Sequence, residues 1–189
     1  SGISGILQVA PERRSRATLR YGSIDYQTNI TGTWPGYADM KSWKTSAGSF
    51  VTQDDVDSYA AVVVLGSTTA RNLFPDGEDP VGAFVLVGNT PFEVIGVLES
   101  KGANSFGSDQ DDTAIVPLST GFLRLFGQQY LSSMNITLID NAQSEHAQAE
   151  IRDLLQNRHG TEDFQVRSTS SFMQASADTQ NTLTLLLGS

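Results

Sequence analysis

The chain alternates between two hydrophobic rhythms. One has the period of two that marks a strand with one buried face, and the other the wider spacing of short amphipathic helices. Ala17–Tyr21 and Tyr26–Thr31 alternate apolar and polar residues, with Gly22-Ser23-Ile24-Asp25 between them as a hairpin turn. Trp34-Pro35-Gly36 ends the second run. Tyr37, Met40 and Trp43 then recur on one side of a short predicted helix closed by Gly48. Thr52 is placed to cap a helix whose first turn carries Asp54 and Asp55. Neighbouring helical residues diverge by about 100°, so these two carboxylates read as capping groups and not as an acid–base pair.

Ala60–Leu65 is an apolar run of strand length. Gly66-Ser67-Thr68-Thr69-Ala70 follows as a turn whose hydroxyls are expected to cap a short helix over Arg71–Phe74. Asp79-Pro80-Val81-Gly82 reads as a turn. Phe84–Val87 and Thr90–Leu98 read as a hairpin closed by Gly88-Asn89, with Pro91 at a strand start or edge. Glu99–Asp112 is a polar loop long enough to be mobile. Beyond it come a strand at Ala114–Leu118, a helix capped by Ser119, a strand at Leu131–Ile139, a helix over 142–158 with Ala147, Ile151, Leu154 and Leu155 inward, and a strand at Phe164–Arg167. The crossover of more than twenty residues suits parallel pairing of the last two strands. Ser171–Leu187 reads as a final helix, and Leu183–Leu187 as the first turn of a longer apolar segment. The fold class is α+β.

At 189 residues the chain is long enough for a self-sufficient core, and its 39% hydrophobic content is that of a folded protein. It has no cysteine, which excludes disulfides, thiolate metal sites and a thiol nucleophile. The net charge is -9, with 12 basic residues against 21 acidic ones. The one basic cluster, Arg13, Arg14, Arg16 and Arg20, reads as a solvated strand face, so no nucleic-acid partner is expected.

Candidate chemistry is sparse. His146 and His159 face nearly opposite sides of their predicted helix and share neither a metal nor a proton. No serine sits in a nucleophile elbow, and no phosphate-loop motif follows the 60–65 strand. Asp109-Gln110-Asp111-Asp112 is acidic, but a calcium loop counted from Asp109 needs glycine and glutamate where Ala114 and Thr120 stand. No catalytic residue, cofactor or metal is assigned. Two alternatives stay open: a ligand domain holding an anion at Gly66–Thr69, and an enzyme using Asp109, Asp111 or Asp112.

Several segments, in colinear order, resemble the MacB-like periplasmic core domain of ABC transporter permeases. They are Val62–Phe74, Asp79–Gly82, Pro91–Leu98, Asp109–Asp112, Val116–Thr120, Tyr130–Ser133 and Thr182–Gly188, with Gly32–Tyr37 a looser match. The resemblance implies a non-catalytic domain on the periplasmic side of the bacterial inner membrane. ATP hydrolysis then belongs to a cytoplasmic part. It implies a porter-like βαβ subdomain from residues 1–46 and 118–172, an inserted strand-rich subdomain at 47–117, and residues 173–189 leading towards a transmembrane helix. The strand and helix that open the porter-like part in the family precede Ser1. The implied partners are a membrane-fusion adaptor, a TolC-like outer-membrane duct and a second copy of the permease. Lys101, Asn104, Phe106 and Asp109 are the expected partner-contact residues.

Overall fold

The computed structural model describes residues 6–127, 133–138, 148–149, 151–153, 164–168 and 182–187. The chain forms two compact units. One takes residues 1–12 and 130–189, and the other, inserted between them, takes 13–129. The divisions therefore fall after Glu12 and Gln129, not at Ser46/Ala47 and Pro117/Leu118. The inserted unit is much larger than the sequence suggested, because the hairpin at its start pairs with strands from its middle and end.

That hairpin joins β1 (Ile6–Tyr21) to β2 (Ile24–Thr33). Its turn is two residues long, since Tyr21 pairs directly with Ile24, and Gly22 takes φ +57°. Ile24 and Asp25 are thus strand, not turn. On the outward face Asp25 meets its cross-strand partner Arg20 in a forked ion pair at 2.5 and 2.8 Å. Arg14 and Arg16 share that solvent-facing side.

Within the inserted unit, β2 pairs in parallel with β7 (Thr113–Pro117). β7 pairs antiparallel with β4 (Val62–Leu65), and β4 in parallel with β6 (Thr90–Leu98). β6 pairs with β5 (Phe84–Val87), and β5 returns to β1 through Leu19–Val87 and Arg20–Leu86. Since β1 also pairs with β2, six strands close into a ring, a small barrel of mixed direction. The strand β3 (Thr45–Gly48) adds to β6 outside the ring, where the sequence suggested a helix end.

The barrel core follows the period of two. Leu19, Ile30, Val63, Leu65, Val85, Val87, Phe92, Val94, Ala114 and Val116 form one cluster, joined by Ala70 and Leu73 of α3 (Ser67–Leu73) and by Phe74 just after it. Val64 and its partner Ile115 are buried on the opposite face as well. Strands covered on both sides explain why 62–65 reads as an unbroken apolar run. The β5–β6 turn is closed by Gly88 at φ +60°. Pro91 lies beside Leu86, before β4 reaches β6 at Glu93, so its missing N–H removes no ladder bond.

Three more short helices complete this unit: α1 (Gly36–Met40), α2 (Gln53–Asp57) and α4 (Leu118–Arg124). Tyr37, Met40 and Trp43 are buried, as their spacing predicts. Thr52 and Asp55 cap α2 reciprocally, with Thr52 N–H donating to Asp55 Oδ2 at 2.8 Å and Asp55 N–H to Thr52 Oγ1 at 3.2 Å. Ser119 does not cap α4. It lies inside the helix and donates to the Val56 carbonyl at 2.5 Å, while Thr120 donates to Ala60 at 2.8 Å.

In the other unit, residues 6–12 of β1 pair antiparallel with β8 (Ser133–Leu138), β8 with β10 (Thr182–Leu187), and β10 with β9 (Phe164–Ser168). Two expectations are corrected here. β8 and β9 run parallel to each other but are not neighbours, because β10 lies between them. Residues 182–187 are strand and not helix. Short apolar runs without Pro or Gly are compatible with either state, and here the partners on both sides decide it. Residues 148–149 and 151–153 are helical with Ile151 buried, as expected. His146, His159, Leu154 and Leu155 lie outside the described residues. Among the described residues no helix is long and apolar enough to cross a membrane.

Phe92 is the largest fully buried side chain of the barrel. Phe92→Ala should lower unfolding free energy by about 3–5 kcal/mol, measured by urea denaturation. A loss below about 1 kcal/mol would show that this cluster is not the core.

Candidate functional site

The loop between β6 and β7 carries the residues singled out from sequence, and it holds a defined shape. Its organising group is Asp111, only 2% exposed. The carboxylate accepts from Ser100 Oγ at 2.5 Å, Lys101 N–H at 2.8 Å and Gly102 N–H at 3.0 Å. The last turn of the loop is thereby tied to its first. Inside this clasp Ala103 bridges Asp109, and Gln110 N–H donates to the Gly102 carbonyl at 3.1 Å. At the tip, Asn104 Oδ1 accepts from the Phe106 and Ser108 amides at 2.9 and 3.0 Å. Length alone argued for mobility. The loop's own donors and acceptors instead satisfy one another.

The four candidate contact residues are therefore placed differently. Phe106 stands 88% exposed at the tip. Asn104 builds the tip. Asp109 is exposed but bonded within the unit, with Oδ2 accepting from Thr68 Oγ1 at 2.7 Å and Oδ1 from Asp111 N–H at 2.8 Å. Lys101 turns to the body of the barrel, where its ammonium donates to the Lys41 carbonyl and lies 5.3 Å from the Trp43 ring centre.

The start of α3 is crowded by the chain's own groups. The helix begins at Ser67, earlier than expected, and Gly66 is its N-cap with no side-chain capping bond. The Asp111 carbonyl packs against Gly66 so closely that an added Cβ would lie 2.2 Å from it. Asp109 already supplies negative charge beside Thr68. Asp112 lies deeper and accepts from buried Thr28 Oγ1 at 2.6 Å, and Thr28 and Thr69 hydroxyls stand 3.1 Å apart. The three aspartates of the loop thus bind three different sets of hydroxyl and amide donors. Among the described residues no three acidic, histidine or cysteine side chains gather to hold a metal.

Beside the loop lies a cleft of about 490 Å3 within the inserted unit. Arg14, Asn29 and Thr31 line it from the outer face of β1 and β2. Tyr37, Lys41 and Trp43 come from α1 and the turn after it, and Lys101, Asn104, Asp109 and Asp112 from the loop. Sequence reading missed Arg14, Lys41 and Trp43 as members of this site, since nothing local links three segments so far apart.

Burial raises the Asp111 pKa, but the hydrogen bonds from Ser100, Lys101 and Gly102 lower it further, so the carboxyl lies below the ordinary aspartate value. A depressed native pKa means that this group stabilises the fold fully at neutral pH. The contribution falls once pH drops to about 3.9, the unfolded value, and is gone below the native one. Asp111→Asn should accordingly destabilise the chain at pH 7 by about 1–3 kcal/mol and flatten the acid limb of its stability profile. An acid limb identical to that of the unsubstituted chain would remove Asp111 from this role.

Comparison with known proteins gives a consistent likeness. Residues 2–154 match the family model of the MacB-like periplasmic core domain. The macrolide export ATP-binding/permease protein MacB of Rhodospirillum rubrum is 52% identical over 187 residues, which is 98% of this chain and 29% of that protein. The pyoverdine export ATP-binding/permease protein PvdT of Pseudomonas savastanoi pv. phaseolicola is 37% identical over 97% of this chain and 28% of its own length. The crystal structure of the periplasmic region of MacB from Actinobacillus actinomycetemcomitans superposes with a TM-score of 0.79 at 29% identity, covering 94% of this chain and 78% of that one. The chain thus spans less than a third of the curated relatives it matches.

Proposed function

The chain belongs to the MacB-like periplasmic core domain family of ABC transporter permeases, and from that premise we propose that it couples ATP hydrolysis elsewhere in the transporter to export by mechanical means. It does so on the periplasmic side of the inner membrane, as part of an integral membrane protein that works as a homodimer. A membrane-fusion adaptor docks on it and connects it to a TolC-like outer-membrane duct. Its relatives are named for macrolide and for pyoverdine export, so the cargo of this transporter is one the family frame leaves open.

The observation that favours a docking role is the clasped loop with Phe106 at its tip. An 88% exposed phenylalanine gains nothing for the isolated fold. On a tip already held by Asn104 and Asp111, it meets a partner without first losing loop entropy. Aromatic side chains on such preshaped segments are the usual anchors of interfaces. Lys101, Asn104 and Asp109 serve this reading by shaping the loop more than by touching the adaptor.

The test uses the full-length transporter with its adaptor. Adaptor docking and ATP turnover must influence each other if force passes between them. Phe106→Ser should weaken adaptor binding about ten-fold or more and abolish the adaptor's effect on ATPase rate, with basal ATPase retained. Phe84→Ser, at another exposed aromatic of the same unit, should leave both unchanged. Unaltered adaptor affinity in Phe106→Ser would reject the loop as the contact.

A further inference from the structure

The helix α2 ends in a motif suited to glycine but filled by tyrosine. Its C-cap is Ser58, so Tyr59 and Ala60 are the two residues just beyond it. Ala60 N–H donates to the Asp55 carbonyl at 2.9 Å, and Tyr59 N–H to the Val56 carbonyl at 3.4 Å. These are the two bonds of a Schellman ending, whose first residue past the cap takes the left-handed conformation and is usually glycine. Tyr59 takes it at φ +55°. Glycine would make the same backbone bonds, whereas a Cβ makes this conformation unfavourable. Burial of the ring offsets little of that, because Tyr59 is 51% exposed. The isolated fold therefore favours glycine here, and the tyrosine ring calls for a role outside it.

A second exposed apolar side chain stands at the same junction. α4 is tied to the end of α2 by Ser119 Oγ donating to the Val56 carbonyl and by Thr120 Oγ1 donating to the Ala60 carbonyl. Leu123 lies one turn further along that side of α4 and is 64% exposed. We propose that Tyr59 and Leu123 are the anchors of a docking surface for a basic amphipathic segment of a partner protein.

The charge around the junction decides the chemistry of the partner. α2 carries Asp54, Asp55 and Asp57 and no cation. Asp55 accepts from Thr52 and Asp57 from the Gln53 amide, neutral donors that leave both carboxylates charged. Exposed Glu93 adds a fourth carboxylate close by, its N–H donating to the Ala61 carbonyl at 2.9 Å. Arg124, beside Leu123, forms no ion pair with any of them. A mainly negative rim around apolar anchors favours lysine and arginine on the partner and disfavours an anionic lipid surface. β4 follows α2 and β7 leads into α4, while the clasped loop enters β7 at its other end. The surface is thus separate from Phe106 and does not rest on the adaptor contact proposed above.

The experiment titrates the 189-residue chain with an amphipathic leucine–lysine peptide of about 15 residues, by calorimetry and by amide NMR shifts. The peptide should bind saturably with Kd about 100 μM or tighter, and a leucine–glutamate peptide of the same pattern should not. Leu123→Ser should weaken binding at least about ten-fold, and Phe106→Ser should leave it unchanged. Asp54→Asn with Asp57→Asn should weaken it and flatten its salt dependence. Tyr59→Gly separates docking from folding. It should raise the urea midpoint, because glycine fits the helix ending better, and still weaken peptide binding about ten-fold. A Tyr59→Gly chain that is less stable, or one that binds the peptide as before, overturns the proposal. So does the absence of saturable binding up to about 2 mM, or Leu123-dependent binding of phosphatidylglycerol vesicles in place of the peptide.

Discussion

The inserted unit depends on one strand segment having two partners. Residues 13–21 of β1 pair with β2 along one edge and, at Leu19 and Arg20, with β5 along the other. That double use turns an open sheet into a ring and removes the unpaired edges that an open sheet would expose. It also fixes which residues face inward. Once Leu19 joins the core, the period of two carries Arg14, Arg16 and Arg20 to the outside. A one-residue slip of β1 against β2 would reverse both sets, which places a large apolar cost on any other register.

The loop inherits its shape from this ring. β6 and β7 are not adjacent, for β4 lies between them, so the connection must pass over β4 and the start of α3. Asp111 makes that passage definite by gathering the hydroxyl and amides at the loop's beginning, while its own carbonyl lies against Gly66. The same crossing brings Lys101 over Trp43 and next to Lys41. The cleft is thus a by-product of strand order before it is anything else, and its cations sit on three elements that only the ring brings together.

The sequence disclosed what is local. Both hairpins, the β4–α3 unit, the capped α2 and the inward positions of Tyr37, Met40 and Trp43 follow from periodicity and turn chemistry confined to a few residues. What depends on long-range pairing was not legible. The direct neighbour of β8 was misjudged because β10 comes from far down the chain, and Leu183–Leu187 changes from expected helix to strand only when β8 and β9 flank it. β3 escaped notice because four small or polar residues make a strand only when β6 is beside them. At the loop, a run of Gly, Ser, Asn and Asp reads as freedom. Asp111 and Asn104 reverse that meaning, since the side chains common in flexible loops are also the ones that bond to backbone amides. The family signatures around Val62–Phe74 and Pro91–Leu98 marked the core of the barrel, not a binding surface, which is why they identified the family without locating a site.

A preshaped loop on a closed barrel is what the proposed passage of force would require, because a soft contact would absorb displacement. The central physical claim is that the loop is as firmly held as the strands around it. Native-state amide hydrogen exchange tests this directly. The Lys101 and Gly102 amides, which donate to Asp111, should be protected to within about ten-fold of the Leu19 and Val87 amides at the ring closure. Exchange of Lys101 and Gly102 at the rate of an unstructured chain, beside a protected barrel, would contradict the account.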